Sequence, residues 1–304
     1  MLMDQRLLED LRLIAGVENV WRAEPMNRHT TFRVGGPADA YVTPHEDLLP
    51  KVIGLCRERE EPYYIIGNGS NLLVGDGGIR GVVIDLMKHV DNLVITGNRI
   101  MAGAGTLLSR VANLAAEHRL SGLEFAAGIP GTVGGAIAMN AGAFEGEMKN
   151  VIQKVTVLDR EGNTRKLDAD ALQMGYRTSN VFSEGYIVTG ATLSLRFGNM
   201  ETIKDRMNEF QRRRTEKQPL EYASAGSTFK RPEGNYAGKL IMDAGLAGYR
   251  VGGAMVSEKH CGFVVNRGTA TAADIRAVIE HVQAEVERQF AVSLEPEVRM
   301  LGEF

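Results

Sequence analysis

Three glycine-rich stretches in the first half of the chain hold the residues best suited to bind a ligand. The longest covers residues 128–142; five of its fifteen residues are glycine and none is charged. Glycine costs conformational entropy inside a helix or a strand, but it lets backbone N–H groups approach phosphate or ring atoms with no Cβ between them. The composition predicts backbone lying against a bound molecule, and a tightly packed turn is the structural alternative.

The second stretch, residues 67–71, lies between two runs of apolar β-forming residues. This strand–loop–strand pattern matches neither the dinucleotide fingerprint nor a phosphate-binding loop ending in Gly-Lys-Ser/Thr, yet its successive N–H groups can form a concavity for an anion. The third stretch, residues 102–106, ends a predicted strand and opens a predicted helix. Three such turns predict a long ligand held at several points, and a dinucleotide with an isoalloxazine ring has that length.

Composition and charge narrow the class of protein. The 304 residues, 44% hydrophobic and 24% charged, favour about two globular domains. A formal net charge of -3 gives no basic field for nucleic acid, and the basic run at 212–214 is typical of a solvated helix face. No apolar run reaches the length of a membrane span, and acids at Asp4, Glu9 and Asp10 argue against a signal peptide.

The two cysteines show no spacing suited to a metal site. Cys56 lies on an apolar helical face, which indicates a core position. Cys261 follows His260, but adjacent residues of an extended chain point to opposite faces, which argues against a catalytic dyad. We therefore predict no metal and a reducing, cytoplasmic location.

Apolar periodicity predicts the elements that position these stretches. Helices are predicted for the leucine-rich stripe that ends at Gly16 and for residues 47–60, 107–115, 202–215 and 272–290. The last of these follows Thr271, which forms a predicted capping box with Asp274. Strands are predicted over residues 39–42, 63–66, 82–86, 93–96, 99–102, 155–159, 164–167 and 187–196, with an extended segment at 294–301.

Five motifs occur in an order that resembles a known family. They are Asn68-Gly69-Ser70-Asn71, Gly131-Thr132-Val133-Gly134-Gly135, Tyr176-Arg177-Thr178-Ser179, Ser224-Ala225-Gly226-Ser227-Thr228-Phe229-Lys230 and Leu294-Glu295-Pro296-Glu297-Val298-Arg299. Together they resemble the UDP-N-acetylenolpyruvoylglucosamine reductases, flavoenzymes of bacterial cell-wall precursor synthesis. The resemblance runs from about residue 20 to the C-terminus; each motif alone is weak, whereas the ordered set is highly specific.

The resemblance implies an α+β fold. A two-lobed FAD-binding domain of the vanillyl-alcohol-oxidase (PCMH) type covers residues 20–200, with lobes at about 20–86 and 87–200. A smaller α/β substrate-binding domain covers 201–304, with its final strand returning to the first lobe. The implied reaction reduces the enolpyruvyl ether of UDP-N-acetylglucosamine to UDP-N-acetylmuramate, with non-covalent FAD and with NADPH as co-substrate. We expect no nucleic acid, membrane or obligate protein partner.

The resemblance also implies three catalytic residues. Hydride addition to an enolpyruvyl group leaves negative charge beside a carboxylate, which fixed donors stabilise best. Arg177 suits bidentate contact with that carboxylate, Ser227 matches the proton donor, and Glu297 matches the third catalytic residue. A surface arginine, a turn serine and a solvated acid are the structural alternatives. Glu295 faces the same side as Glu297 on an extended chain, and the choice between them rests on the resemblance alone.

The remaining site residues come from the motifs and glycine-rich stretches. The residues expected to bind FAD are Arg33, Gly67, Asn68, Gly69, Ser70, Asn71, Leu72, Gly103, Ala104, Gly128, Pro130, Gly131, Thr132, Gly134, Gly135, Ala136, Asn140, Gly142, Ile187 and Val188. Those expected to bind the UDP-sugar are Tyr176, Lys217 and Arg231. Arg231 stands where another branch of the family carries asparagine, and its charge suits a phosphate. The short connection from Tyr176 to Ile187 resembles the type II branch, which lacks a substrate-covering insertion.

Two rival functions remain open at this point. An oxidase of the same flavin fold is the first, although many such oxidases tether FAD to a histidine near the pyrophosphate loop and residues 65–74 contain none. A non-catalytic nucleotide-binding protein is the second, but it gives no reason for Arg177, Ser227 and Glu297 to occur together in their motifs. A yellow protein that releases its flavin in acid would support the reductase.

Overall fold

A computed structural model of the chain describes residues 4–304 and divides into two compact units. The first unit comprises the residues up to Arg22, Ala40–Asn68 and Gly81–Arg213, and the second comprises Ala23–Asp39, Gly69–Arg80 and Arg214–Phe304. The domain bounds expected from the sequence, 20–200 and 201–304, stay a prediction.

The described residues form seven α-helices. They are α1 (Gln5–Ala15), α2 (Leu49–Glu58), α3 (Leu108–Glu117), α4 (Val133–Ala138), α5 (Met200–Lys217), α6 (Ala237–Asp243) and α7 (Ala272–Phe290). The helices predicted from apolar spacing are confirmed as α1, α2, α3, α5 and α7. The short helices α4 and α6 were not predicted, because with six and seven residues neither spans two full turns over which apolar spacing could repeat.

The strands are mostly short. They are β1 (Val20–Pro25), β2 (Pro37–Val42), β3 (Tyr63–Ile66), β4 (Leu72–Val74), β5 (Ile79–Asp85), β6 (Leu93–Thr96), β7 (Arg99–Gly103), β8 (Leu120–Ser121), β9 (Gly142–Ala143), β10 (Gly146–Glu147), β11 (Ile152–Leu158), β12 (Thr164–Asp168), β13 (Ile187–Ser194), β14 (Arg196–Phe197), β15 (Arg250–Val251), β16 (Ala254–Val256), β17 (Val264–Asn266) and β18 (Arg299–Leu301). All eight predicted strands are confirmed within a few residues at their ends.

The first unit contains a five-stranded antiparallel sheet of order β12-β11-β13-β7-β6. In this sheet Gly190 of β13 lies opposite Gly103 of β7. Part of a four-stranded sheet of order β1-β2-β5-β3 also belongs to the unit, and β3 runs parallel to β5. A strand of each sheet is therefore followed by a glycine-rich stretch, since β3 leads into residues 67–71 and β7 leads into residues 103–106.

The second unit contains a three-stranded antiparallel sheet of order β15-β16-β17 and the parallel pair β18-β4. In the parallel pair Arg299 lies opposite Leu72. Because β4 follows the loop 67–71 directly, the pairing brings the segment that contains Glu297 next to that loop.

Each unit has its own apolar core. In the first, α1 buries Leu7, Leu8 and Leu11. In the second, α7 buries one aliphatic face, formed by Ile275, Val278, Ile279, Val282 and Val286. The predicted capping box of α7 is confirmed, since the N–H of Asp274 donates to Thr271 Oγ1 at 3.0 Å and the N–H of Thr271 donates to Asp274 Oδ2 at 3.1 Å. Burying one aliphatic side chain contributes about 1.5–3 kcal/mol.

A pair of stacked histidines lies in the first unit. The rings of His45 and His89 have centroids 3.8 Å apart. Nε2 of His89 lies 3.1 Å from Asn19 Oδ1, which also accepts a hydrogen bond from Lys88 Nζ at 2.8 Å. Burial, and then the charges of His45 and Lys88, lower the pKa of His89 below its ordinary value. The folded chain therefore holds His89 neutral at a pH where the unfolded chain has begun to protonate it.

This lowered pKa predicts acid-sensitive stability. Where the unfolded state binds more protons than the folded state, the free energy of unfolding falls as pH falls. We expect the midpoint of urea unfolding to be lower at about pH 5.5 than at about pH 7.5, two values that bracket the ordinary histidine pKa of about 6.5. The substitution His89→Gln should reduce this difference between the two midpoints. His118→Gln, at an exposed histidine, is the control and should leave the difference unchanged. An unaltered pH dependence in His89→Gln would contradict the prediction.

Candidate functional site

The loop of residues 67–71 is held so closely that two of its glycines cannot be replaced without movement. A Cβ on Gly67 would lie 2.2 Å from Thr132 Oγ1. A Cβ on Gly69, which has φ +56°, would lie 2.0 Å from the carbonyl oxygen of His29. The predicted strand–loop–strand arrangement is confirmed, because β3 ends at Ile66 and β4 begins at Leu72.

The same loop offers unused backbone donors. Within residues 4–304, the N–H groups of Asn68, Ser70 and Asn71 donate to no protein acceptor. The Asn71 side chain is used, since its Nδ2 donates to the carbonyl oxygen of Glu297 at 2.9 Å. A run of N–H groups on a loop of fixed conformation suits an anion such as a diphosphate.

Residues from each of the three glycine-rich stretches contact one another in the first unit, which contains the loop of residues 67–71 as far as Asn68. Asn68 Nδ2 donates to the carbonyl oxygen of Pro130 at 2.5 Å, which joins the first loop to the longest stretch. The N–H of Gly134 donates to the carbonyl of Ala104 at 2.8 Å, and the N–H of Val133 donates to the carbonyl of Thr106 at 2.9 Å. Residues from the three stretches therefore lie close together in this unit, and their contact with a ligand stays a prediction.

The longest stretch contains a helix, which its glycine content argued against. Helix α4 begins directly after Thr132, and the N–H groups of its first two residues bond to the 104–106 turn. Close packing explains Gly134, because a Cβ there would lie 2.9 Å from the Cβ of Ala104. The expectation was wrong because tertiary hydrogen bonds and close packing outweigh the entropy cost of glycine in a helix of six residues.

Two predicted cofactor residues lie on β13. The side chains of Ile187 and Val188 are 7% and 5% exposed and belong to the core of the first unit. The next residue, Thr189, accepts the N–H of Ala104 at 2.9 Å through its carbonyl oxygen. β13 therefore fixes the turn at Gly103 and Ala104 by backbone contact.

Asn140 and Gly142 follow α4. Asn140 is fully buried and has φ +40°. Its Nδ2 donates to Glu147 Oε2 and to the carbonyl of Gly175, both at 2.8 Å, and its Oδ1 accepts the N–H of Lys149 at 2.9 Å. The side chain predicted to bind the cofactor thus has protein partners on both of its polar atoms. Glu147 and Gly175 were not predicted as residues of the site, because no motif marks them.

Arg177 projects from a tight turn. Gly175 and Thr178 form an isolated antiparallel bridge around it, and Arg177 itself has φ +52°. Its Nη2 donates to the carbonyl of Gly142 at 2.8 Å, and its guanidinium lies 5.1 Å from the ring centroid of Tyr176, which is 52% exposed. A non-glycine residue keeps a left-handed backbone conformation only where its surroundings fix it. The backbone turn, the bond to Gly142 and the contact with Tyr176 together fix the position of the guanidinium.

Ser227 and Glu297 lie on neighbouring segments of the second unit. The N–H of Glu297 donates to the carbonyl of Thr228 at 2.8 Å, and Phe229 forms an antiparallel bridge with Pro296. Thr228 is fully buried, while Ser227 before it is exposed. The buried Thr228 fixes the backbone from which Ser227 projects its hydroxyl. The hydrogen bond from Glu297 to Thr228 also brings the backbone at Ser227 close to that at Glu297.

Glu295 and Glu297 have different surroundings. The side chain of Glu295 is 69% exposed and pairs with Lys230, with Oε1 2.5 Å from Nζ. Glu297 is half-buried. The ion pair with Lys230 gives Glu295 a surface role, which the sequence alone did not distinguish from that of Glu297.

The other predicted binding residues lie on accessible positions. Lys217 is the exposed last residue of α5. Arg231 Nε donates to the carbonyl of Asn235 at 3.4 Å, and its guanidinium lies 4.1 Å from the ring centroid of Tyr236. Arg33 is exposed and has φ +57°. Each presents a positive charge at the surface of the second unit.

His260 and Cys261 lie in a turn rather than on a strand, so the argument from alternating faces does not apply to them. Burial lowers the pKa of His260 and raises that of Cys261, which favours the neutral imidazole and thiol over a reactive ion pair. His260 Nδ1 accepts the N–H of Gly262 at 3.1 Å. Burial also raises the pKa of Cys56 to about 12.

Residues 4–304 contain neither a cluster of side chains that could hold a metal ion nor a helix that could cross a membrane. No group of three or more histidine, cysteine, aspartate or glutamate side chains is placed to hold a metal ion. No helix in the described part of the chain has both the length and the apolar character needed to cross a membrane.

Comparisons with known proteins match both halves of the chain. Residues 38–168 match the family model of an FAD binding domain, and residues 218–301 match that of the UDP-N-acetylenolpyruvoylglucosamine reductase C-terminal domain. A UDP-N-acetylenolpyruvoylglucosamine reductase from Clostridium botulinum (strain Hall) is 53% identical over 95% of both chains, and one from Agathobacter rectalis is 54% identical over 92% of this chain and 93% of its own. The crystal structure of a UDP-N-acetylenolpyruvylglucosamine reductase from Thermus caldophilus is 39% identical, covers 93% of this chain and 98% of its own, and has a TM-score of 0.81.

Proposed function

The chain belongs to the UDP-N-acetylenolpyruvoylglucosamine reductase family, and from that premise we propose which of its residues carry the reaction. The protein is an FAD-dependent oxidoreductase that reduces the enolpyruvyl ether of UDP-N-acetylglucosamine to UDP-N-acetylmuramate in peptidoglycan synthesis, with NADPH as co-substrate. Its fold is α+β, with an FAD-binding domain of the vanillyl-alcohol-oxidase type and a smaller substrate-binding domain.

The residues present fit FAD. Bound FAD would supply the hydride transfer that couples oxidation of NADPH to reduction of the enolpyruvyl group. The N–H groups of Asn68, Ser70 and Asn71, which donate to no backbone carbonyl in residues 4–304, suit its diphosphate. The stretches at 103–104 and 128–136 are uncharged and rich in glycine, which suits close contact with a flat ring. The convergence of these stretches through Asn68 and Pro130 is the observation that best supports the site.

Gly67→Ala tests whether the contact between the loop 67–71 and the stretch 128–142 is needed for FAD binding. The added methyl group would meet Thr132 Oγ1 at 2.2 Å and push the two glycine-rich stretches apart. Overpacking of this kind costs about 1–3 kcal/mol, so we expect the Kd of the apoprotein for FAD to rise by roughly 10–100-fold, measured by fluorescence titration. Gly54→Ala in α2 is the matched control: its Cβ meets nothing within 4 Å, so the Kd should not change and stability should rise by about 0.5–1 kcal/mol. Unchanged FAD affinity in Gly67→Ala would remove this part of the proposal.

Arg177 is the proposed carboxylate clamp. Hydride addition to the terminal carbon of the enolpyruvyl group leaves negative charge on the α-carbon, which is shared with the carboxylate as an enolate dianion, and a fixed cation stabilises this charge. A guanidinium offers two parallel N–H donors that match a carboxylate. The left-handed turn and the hydrogen bond from Nη2 to Gly142 hold Arg177 before substrate arrives, so little reorganisation is needed during the reaction.

Ser227 is the proposed proton donor to the α-carbon. A serine hydroxyl is a weak acid, so it can serve only a strongly basic acceptor such as the enolate, with the resulting alkoxide stabilised by hydrogen bonds or water. Its exposure beside the buried Thr228 makes the hydroxyl available from a fixed backbone. Glu297 is the proposed third catalytic residue, which shares a hydrogen bond with the developing enol. The exposed ion pair of Glu295 with Lys230 supports Glu297 over Glu295.

The UDP-sugar is proposed to contact Tyr176, Lys217 and Arg231. Each presents a hydroxyl or a positive charge at an accessible position, which suits the two phosphates. We also infer that the protein acts in the cytoplasm with no nucleic acid, membrane or obligate protein partner. The net charge of -3 and the two unpaired cysteines support this.

The decisive experiment separates the two half-reactions. NADPH should bleach the flavin absorbance of the holoprotein under anaerobic conditions, and enolpyruvyl-UDP-N-acetylglucosamine should then restore it with formation of UDP-N-acetylmuramate. Rapid reoxidation by oxygen with no response to the sugar would instead indicate an oxidase. A colourless protein that binds the nucleotide without turnover would indicate a binding protein.

A further inference from the structure

One buried side chain joins three segments around Arg177. Asn140 lies just past the end of α4, and its side-chain amide bonds to Glu147 on β10 and to the backbone of Lys149. The same Nδ2 donates to the carbonyl of Gly175, at the start of the Arg177 turn. Asparagine suits the position because it tolerates φ +40° better than most residues.

The hairpin β9–β10 holds the guanidinium as well as the turn. The carbonyl of Gly142 on β9 accepts from Arg177 Nη2 at 2.8 Å. At the tip of the hairpin, the ring of Phe144 stacks on Phe210 of α5 with centroids 4.4 Å apart, and Glu145 pairs with Arg206 at 3.0 Å. The hairpin is thus fixed at its tip by α5 and at its base by Asn140.

From this geometry we propose that Asn140, held by Glu147, is a positioning residue for Arg177: it fixes the backbone of the turn relative to the strand that holds the guanidinium. The inference rests on the proposed role of Arg177. It gives the Asn140 side chain a function in sugar reduction, whereas the residue was predicted from the sequence to bind the cofactor. Removing the side-chain amide of Asn140 leaves Gly175 and Glu147 without the donor that they share. The turn that carries Arg177 can then move relative to Gly142.

The test uses Asn140→Gly, because glycine accepts φ +40° while losing the amide. A displacement of about 1 Å costs roughly 10²-fold in rate. We therefore expect reoxidation of the NADPH-reduced holoenzyme by the enolpyruvyl sugar to slow by roughly 10–100-fold, while flavin reduction by NADPH and the Kd for FAD do not change. Asn98→Ala removes a comparable amide-to-carbonyl bond, from Asn98 Nδ2 to Leu195 at 2.8 Å, and should lower stability without changing either rate.

A double-mutant cycle with Arg177→Lys separates positioning from general destabilisation. If Asn140 acts through Arg177, the double variant should be little slower than Arg177→Lys alone. Additive losses, or equal slowing of both half-reactions, would overturn the proposal. If Arg177→Lys alone reoxidises at the normal rate, the proposed role of Arg177 fails first. Should Asn140→Gly not fold, Glu147→Gln weakens the same brace from its other end, and the same cycle applies.

Discussion

Ser227→Ala is expected to lower the rate of sugar reduction by roughly 10²–10⁴-fold, the usual effect of losing a general acid. Flavin reduction by NADPH should keep its rate, because that step needs no proton from Ser227. Ser227 is exposed, so alanine should leave the free energy of unfolding nearly unchanged. Anaerobic stopped-flow absorbance at the flavin band measures the two steps separately.

Ser224→Ala is the matched control for this prediction, since it removes a hydroxyl from the same loop three residues earlier. It should leave both half-reactions at their normal rates. Equal slowing of both steps in Ser227→Ala would mean that the residue supports the structure of the site and does not donate the proton.

Arg177→Lys has the second largest expected effect. Lysine keeps the positive charge but loses the planar pair of donors that matches a carboxylate. Hydrogen bonds to charged groups contribute about 1.5–3 kcal/mol, so losing one predicts a fall of roughly 10–150-fold in kcat/KM for the sugar. The lysine also cannot reproduce the bond from Nη2 to Gly142 in the same geometry, which adds to the loss.

Steady-state kinetics at saturating NADPH measure this effect, and Arg276→Lys is its control. Arg276 lies on α7 and pairs with Glu280 four residues later at 2.7 Å, where a point charge serves nearly as well. Normal turnover of Arg177→Lys at saturating sugar would rule out a catalytic clamp. A raised KM alone would reduce Arg177 to a substrate-binding residue.

The regular elements were largely predictable because they depend on local periodicity. Helix α7 shows five aliphatic residues at helical spacing behind a capping box, and both features are present in the structure. Helix α4 was not predictable, since its glycines disfavour a helix and only the distant carbonyls of Ala104 and Thr106 fix its first turn. The strands β15, β16 and β17 are two or three residues long, too short for a period to emerge.

The proposed site also has a part that local sequence predicts and a part that depends on distant contacts. Glycine composition predicted that residues 67–71, 102–106 and 128–142 contact a ligand, with a tightly packed turn as the alternative, and the contact with a ligand stays a prediction. The hydrogen bonds that assemble the site join residues far apart in sequence, such as Asn68 with Pro130 and Asn140 with Gly175. No sequence pattern encodes such pairs. The roles of Ser227 and Glu297 came from the family resemblance, since their residue types alone are also compatible with a turn and a surface acid.

The parallel pairing of β4 with β18 has a consequence for biosynthesis. Asn71 bonds to the carbonyl of Glu297 across 226 positions of sequence, and Arg299 returns a hydrogen bond to the carbonyl of Asn71. A ribosome delivers β4 long before β18, so the loop beside β4 lacks this support while the chain is still being translated. Contacts of such long range form late in folding. We therefore expect tight binding of FAD only after the segment that carries β18 has left the ribosome.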